Sequence, residues 1–237
     1  MATRILNRII NWLGGHELAV LLALLAAVAG TLVFVEVADE VFEGDTQALD
    51  ERILLALRDA DDPSRPIGPV WMGEIGRDIT ALGGYSVLIL VTICVIVWLW
   101  LDDNYPAMRF VIAAIVGGFL LSMVLKSVFD RPRPDIVPHL SEAYTSSFPS
   151  GHSMMSAIVY LTLGSLLART VPRPELKFFF LAVPLLLSLL IGVSRVYMGV
   201  HYPSDVLGGW SAGLAWATFC WLVARRIEAA NSGIDSG

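Results

Sequence analysis

Six long apolar runs, at 18–38, 85–101, 110–125, 153–168, 178–194 and 206–224, leave this chain few ways to fold. A helix needs about 20 apolar residues, range about 17–25, to cross a bilayer. The two runs of sixteen residues are extended by Arg109 and Lys126 on one and Arg169 on the other, side chains that can snorkel to the interface. Hydrophobic residues make up 56% of the 237 and charged ones only 16%, whereas an ordinary soluble domain is about 25% charged. A soluble globular enzyme, a disordered chain and a collagen-like chain are thereby excluded. The expected fold class is all-α: a polytopic membrane protein with six transmembrane helices, as a single domain over 1–237.

The one sizeable insertion is 39–83, between the first and second spans. Leu49, Ile53, Ala56, Leu57 and Ala60 recur at helical spacing, Asp61, Asp62, Pro63, Ser64 and Pro66 break the chain, and Trp71, Ile75, Ile79 and Leu82 form a second stripe. Two short amphipathic helices lying on the membrane surface are expected there, either to cap the bundle or to gate the substrate. Net charge is −6: residues 39–78, with eleven acids and four arginines, carry −7, and the rest of the chain carries +1. No basic face stands outside the membrane segments, so a nucleic-acid partner is not expected. Cys94 and Cys220 lie in apolar runs and form no disulfide or zinc pattern.

Orientation follows from basic residues. With the N-terminus inside, Arg4, Arg8, Arg109, Arg169, Arg173, Lys177, Arg225 and Arg226 face the cytoplasm, against an equal number outside. Density decides for N-in: the short loop 169–177 alone holds three basic residues. The first run, which follows Arg4 and Arg8, reads as a retained anchor rather than a cleaved signal.

Polar clusters fall at helix ends. Lys126 closes the third span, and Arg131, Pro132, Arg133 and Pro134 follow it; Pro149, Ser150, Gly151 and His152 open the fourth; Ser194 and Arg195 close the fifth; His201 and Asp205 open the sixth. Alternation of the chain across the membrane puts all four ends on one side. The residue types suit a phosphate. Lys126, Arg133 and Arg195 supply fixed positive charge, and an arginine fork can hold two phosphate oxygens. Ser150 and Gly151 precede a helix whose N–H groups and dipole favour an anion. His201 and Asp205, four apart, let a carboxylate fix the imidazole tautomer. That makes His201 the candidate nucleophile, forming a phosphohistidine, and His152 the candidate acid for the leaving group.

The tetrapeptide 149–152 alone has a chance expectation on the order of 10⁻³. The joint pattern is Lys126, six residues, Arg133-Pro134; then 149–152; then Ser194-Arg195, five residues, His201, three residues, Asp205. It resembles the three-part signature of the type-2 phosphatidic acid phosphatase family over 126–205. The resemblance implies a metal-independent membrane phosphatase on a six-helix core. Its substrates would be lipid phosphates or diphosphates, such as phosphatidic acid, phosphatidylglycerophosphate or undecaprenyl diphosphate. It places Lys126, Arg133, Ser150, Gly151 and Arg195 on the phosphate, His152 as acid, His201 as nucleophile and Asp205 as its partner. It implies no metal or organic cofactor, and a multi-pass location in a bacterial inner membrane with the site on the outer face. The alternative is a lipid phosphotransferase using the same histidine. A metal site from His139, His152, His201 and Asp205 is disfavoured, because the nearby cations repel a metal ion. Arg131 is not a signature position, Asp130 and Asp135 read as solvated or paired acids, and His139 reads as a loop residue. Gly209 and Gly213 mark close helix packing within the bundle or a dimer face; the oligomeric state is open.

Overall fold

The computed structural model describes residues 14–141 and 145–234; Arg4 and Arg8, on which part of the orientation argument rests, lie outside the described residues. Among the described residues eight helices follow one another: α1 (Gly14–Glu43), α2 (Gln47–Ala56), α3 (Val70–Leu82), α4 (Tyr85–Leu101), α5 (Tyr105–Phe129), α6 (Gly151–Thr170), α7 (Pro174–Tyr197) and α8 (Pro203–Ile234). Among the described residues there is no strand, only an isolated bridge between Arg58 and Pro66.

Every apolar run but 85–101, which α4 matches, is extended outward by its polar flanks. Asn104 caps α5 by accepting from the Ala107 N–H at 3.3 Å, and Ser150 caps α6 through the Ser153 N–H at 3.4 Å. Among the described residues five helices are long and apolar enough to cross a membrane; α3 and α4, bent by 43° at their junction, complete a sixth span when taken together. The 17 residues of α4 rise only about 25 Å at 1.5 Å each, short of a hydrocarbon core of about 30 Å. The chain is a multi-pass membrane protein, and Leu22, Leu32, Leu90, Leu120, Phe178 and Leu186 lie on its outer, apolar surface.

The centre is α6, packed between α7 and α8, with Met154, Met155, Ile158 and Val159 buried against Leu88 and Ala212. The two glycines of α8 belong to this contact. A Cβ on Gly209 would stand 2.7 Å from the Ser150 carbonyl, and one on Gly213 would stand 2.7 Å from that of Met154. The Gly-x-x-x-Gly spacing therefore serves packing within the bundle. α1 lies along α8, where Gly30 meets the Ser211 carbonyl.

The insertion holds its two short helices, but their apolar stripes face outward. In α2 the buried residues are Asp50 and Leu54, while Leu49 and Ile53 are exposed. In α3 they are Gly76 and Thr80, with Trp71, Ile75 and Leu82 exposed. In a soluble protein the apolar stripe marks the core side; beside a bilayer it marks the lipid side. α3 is also no isolated surface helix. It packs on the end of α7, where Gly76 lies against Tyr197 and Met198.

Candidate active site

The signature residues converge at one end of the bundle, where α5 and α7 finish and α6 and α8 begin. His201 precedes α8 and is 1% exposed. Asp205, in the first turn of α8, accepts on Oδ2 from the Tyr202 N–H at 2.8 Å and from the Ser147 hydroxyl. His201 Nδ1 lies 3.3 Å from the same oxygen, and Arg131 Nη1 donates to Oδ1 at 2.8 Å. On the opposite edge of the imidazole, Arg133 Nη1 lies 3.1 Å from Nε2. A guanidinium can only donate, so Nε2 is the acceptor and Nδ1 carries the proton toward Asp205. Burial pushes the His201 pKa down to about 3, against the pull of Asp205 and with Arg133 and Arg195 pushing the same way. The ring is therefore neutral at pH 7, with its Nε2 lone pair turned to the cations.

Those cations come from three elements. Arg133, in the loop after α5, is held by the carbonyls of Thr145 and Val200, both at 2.7 Å; burial lowers its pKa, yet a guanidinium starts high enough to stay charged. Lys126, in the last turn of α5, donates to the Ser146 carbonyl at 2.6 Å. Arg195, near the end of α7, is 2% exposed and reaches Thr80 Oγ1 of α3 at 3.3 Å. Among the described residues it has no carboxylate partner, and its buried Nε has no acceptor at all. A buried polar group left unpaired is costly, and this one lies in the guanidinium of Arg195, one of the clustered cations.

Ser150 and Gly151 part company. The Ser150 N–H donates to the Asp205 carbonyl at 2.9 Å, and its hydroxyl accepts from Ser153 Oγ at 3.0 Å. Ser150 thus ties α6 to α8, and its backbone N–H is already committed. Among the described residues no acceptor lies on the first-turn N–H groups of Gly151 and His152, as at any helix start. A Cβ on Gly151 would meet Tyr85 Oη at 2.9 Å and Lys126 Cε at 3.3 Å, so glycine keeps this approach open. His152 sits beside Gly83 and under the Tyr85 ring, centroids 6.4 Å apart, within electrostatic reach of Arg195, His201, Arg133 and Lys126.

Several neighbours carry no sequence signal. Ser147, Thr80 and Tyr85 stand outside the spaced pattern, and only the partners they touch reveal them. Arg131 points to Asp205 and Asp50 rather than toward the other cations. Asp130 is exposed as the left-handed C-cap of α5, φ 40°, Asp135 is exposed, and His139 bonds the Pro134 carbonyl at 2.6 Å. Among the described residues no three His, Cys, Asp or Glu side chains are arranged to hold a metal ion.

Fold and site define a multi-pass membrane protein with a buried histidine–carboxylate pair facing clustered cations. The PAP2 superfamily model matches residues 106–228, just over half the chain, and the protein belongs to that superfamily. Phosphatidylglycerophosphatase B of Bacillus subtilis is 37% identical over 147 residues, 61% of this chain and 71% of the relative. Undecaprenyl-diphosphatase BcrC of the same organism is 28% identical, over 54% of this chain and 61% of the relative. The crystal structure of a transmembrane PAP2 type phosphatidylglycerolphosphate phosphatase from Bacillus subtilis superposes with a TM-score of 0.74 at 28% identity. It covers 85% of this chain and 96% of that one. The protein is an enzyme of the lipid phosphatase class.

Proposed function

We propose that the protein hydrolyses the terminal phosphate of a membrane lipid through a phosphohistidine on His201. The observation that carries this is the buried imidazole with Nε2 turned to the Arg133 guanidinium and Asp205 on Nδ1. Lys126, Arg133, Arg195 and the N–H groups of Gly151 and His152 hold the phosphate oxygens; Ser150 acts by fixing the start of α6. Nε2 attacks phosphorus, the bond to the lipid oxygen breaks, and His152 gives that oxygen its proton. The phosphate, with about −1.5 to −2 charge at neutral pH, favours the protonated form of His152 as it binds. Asp205 stabilises the imidazolium character gained by His201. Water then attacks phosphorus, His152 takes its proton, and the P–N bond breaks to release inorganic phosphate. The clustered cations stabilise both transition states electrostatically.

Phosphatidylglycerophosphate and undecaprenyl diphosphate are the first substrates to try, on the strength of the named relatives, with phosphatidic acid beside them. The location proposed is a bacterial inner membrane with the site on the outer face, the end opposite the loop of Arg173 and Lys177. The test is phosphate release by purified protein in detergent and EDTA across this panel, with His201→Ala as control. Release by wild type alone supports the reading. A newly phosphorylated acceptor in place of free phosphate would make the enzyme a transferase, and activity only with added metal would overturn the mechanism.

A further inference from the structure

We propose that Asp50 and Arg131, neither of them in the signature, are positioning residues for the His201–Asp205 pair, a role that rests on the nucleophile assignment above. Of the donors around Asp205, Tyr202 N, Ser147 Oγ and His201 Nδ1 all meet Oδ2. Among the described residues Oδ1 is held by Arg131 alone, at 2.8 Å. Arg131 therefore sets the rotation of the carboxylate and with it the oxygen presented to the imidazole.

Arg131 is itself fixed from the insertion. Its second arm, Nη2, donates to Asp50 Oδ2 of α2 at 2.9 Å, and its guanidinium lies 4.3 Å above the Tyr202 ring. Nη1 also donates to Ser204 Oγ at 2.8 Å. Asp50 is locked in turn: Oδ1 accepts from the Ser204 N–H at 2.9 Å, and Oδ2 accepts from the Ser204 hydroxyl. With its two forked arms on two buried carboxylates, Arg131 cannot turn without breaking one ion pair. The order along the chain of contacts is imidazole, carboxylate, guanidinium, carboxylate. Asp50 offsets part of the arginine's charge from the side away from Asp205. Without it the full charge falls on Asp205, which then supports less positive charge on His201. The insertion 39–83, which lies outside the matched family region 106–228, thus reaches the His201–Asp205 pair through Asp50 of α2, as it reaches Arg195 through Thr80 of α3.

The test is a double-mutant cycle on the purified full chain, read as phosphate release from phosphatidylglycerophosphate in mixed micelles. Asp50→Asn lowers kcat on the order of 10-fold and Arg131→Gln on the order of 100-fold, the scale of a misplaced catalytic group, with KM within about twofold because neither touches phosphate. Because Asp50 acts through Arg131, the double variant is no slower than Arg131→Gln. Ser204→Ala removes the hydroxyl shared by Arg131 and Asp50 and leaves the Ser204 N–H on Asp50. A wild-type kcat for Asp50→Asn, or a double variant slowed by the product of the two single effects, overturns the proposal. Arg131→Lys keeps the charge, loses the fork and leaves Asp50 in place. It covers the case in which Asp50→Asn does not fold: reduced kcat at unchanged KM supports the role, wild-type kcat overturns it. A fully active His201→Ala would instead overturn the assignment of the nucleophile.

Discussion

Arg133 Nη1 faces His201 Nε2 at 3.1 Å while Asp205 takes the other ring nitrogen at 3.3 Å, so one imidazole is held between a cation and an anion. The same guanidinium donates to the carbonyls of Thr145 and Val200. A lysine in its place is a single charge on a flexible stem and cannot span these acceptors together with a phosphate oxygen. Arg133→Lys is expected to lower kcat/KM on the order of 100-fold, the loss typical of one preorganised donor. Steady-state phosphate release checks it, and a variant within threefold of wild type would remove Arg133 from the phosphate site.

Arg195 tests the buried side of the same cluster. Its contact with Thr80 and the unpartnered Nε leave most of the fork for a ligand. Arg195→Lys cannot offer two parallel donors, and kcat/KM is expected to fall by about 10²–10³. Binding of inorganic phosphate, followed as protection against thermal unfolding, is expected to weaken in parallel. Full phosphate protection in the variant would count against this residue as a ligand.

The signature positions were legible because their chemistry is dense and local, and because chain alternation brings four helix ends together with no further information. Asp50 and Arg131 were not, because their meaning lies in a pairing across 81 residues that no spacing rule predicts. The stripes of α2 and α3 revealed two helices yet pointed away from the core, since hydrophobic periodicity does not tell lipid from protein interior. At the bend of Gly83-Gly84 a Cβ on Gly83 would meet Ile191 and His152, neighbours that become adjacent only once α6 and α7 have packed.

The depressed pKa of His201 sets a pH dependence of stability. The folded value is about 3 against an ordinary 6.5, with burial as its main cause. Between those two values the unfolded chain binds the proton and the folded one does not, so stability rises with pH. The contribution is fully present above about 6.5 and is lost as pH falls toward the folded value. Thermal melts in detergent are expected to show Tm dropping from pH 6.5 to 4 in wild type, with a shallower drop in His201→Asn. Identical slopes for the two proteins would show that His201 is not held neutral by burial.

Gly209 and Gly73 give opposite outcomes for one substitution. In α8, a Cβ on Gly209 would stand 2.7 Å from the Ser150 carbonyl and 2.9 Å from Ser153 Cβ, so α8 must move off α6. Ser150 also donates to the Asp205 carbonyl, so that movement disturbs both helix starts that carry the site. Overpacking of this kind costs about 1–3 kcal/mol, or several degrees of Tm at about 2–4 °C per kcal/mol for a chain this size. In α3, a Cβ on Gly73 meets nothing within 4 Å, and alanine there restricts the unfolded chain and favours helix by about 0.5–1 kcal/mol. Gly209→Ala is therefore expected to lower both Tm and kcat, and Gly73→Ala to raise Tm slightly with kcat unchanged. Paired melts and phosphate-release assays decide it. A neutral Gly209→Ala would mean that α6 and α8 are not in the close contact on which the position of Ser150, and with it the phosphate cradle, depends.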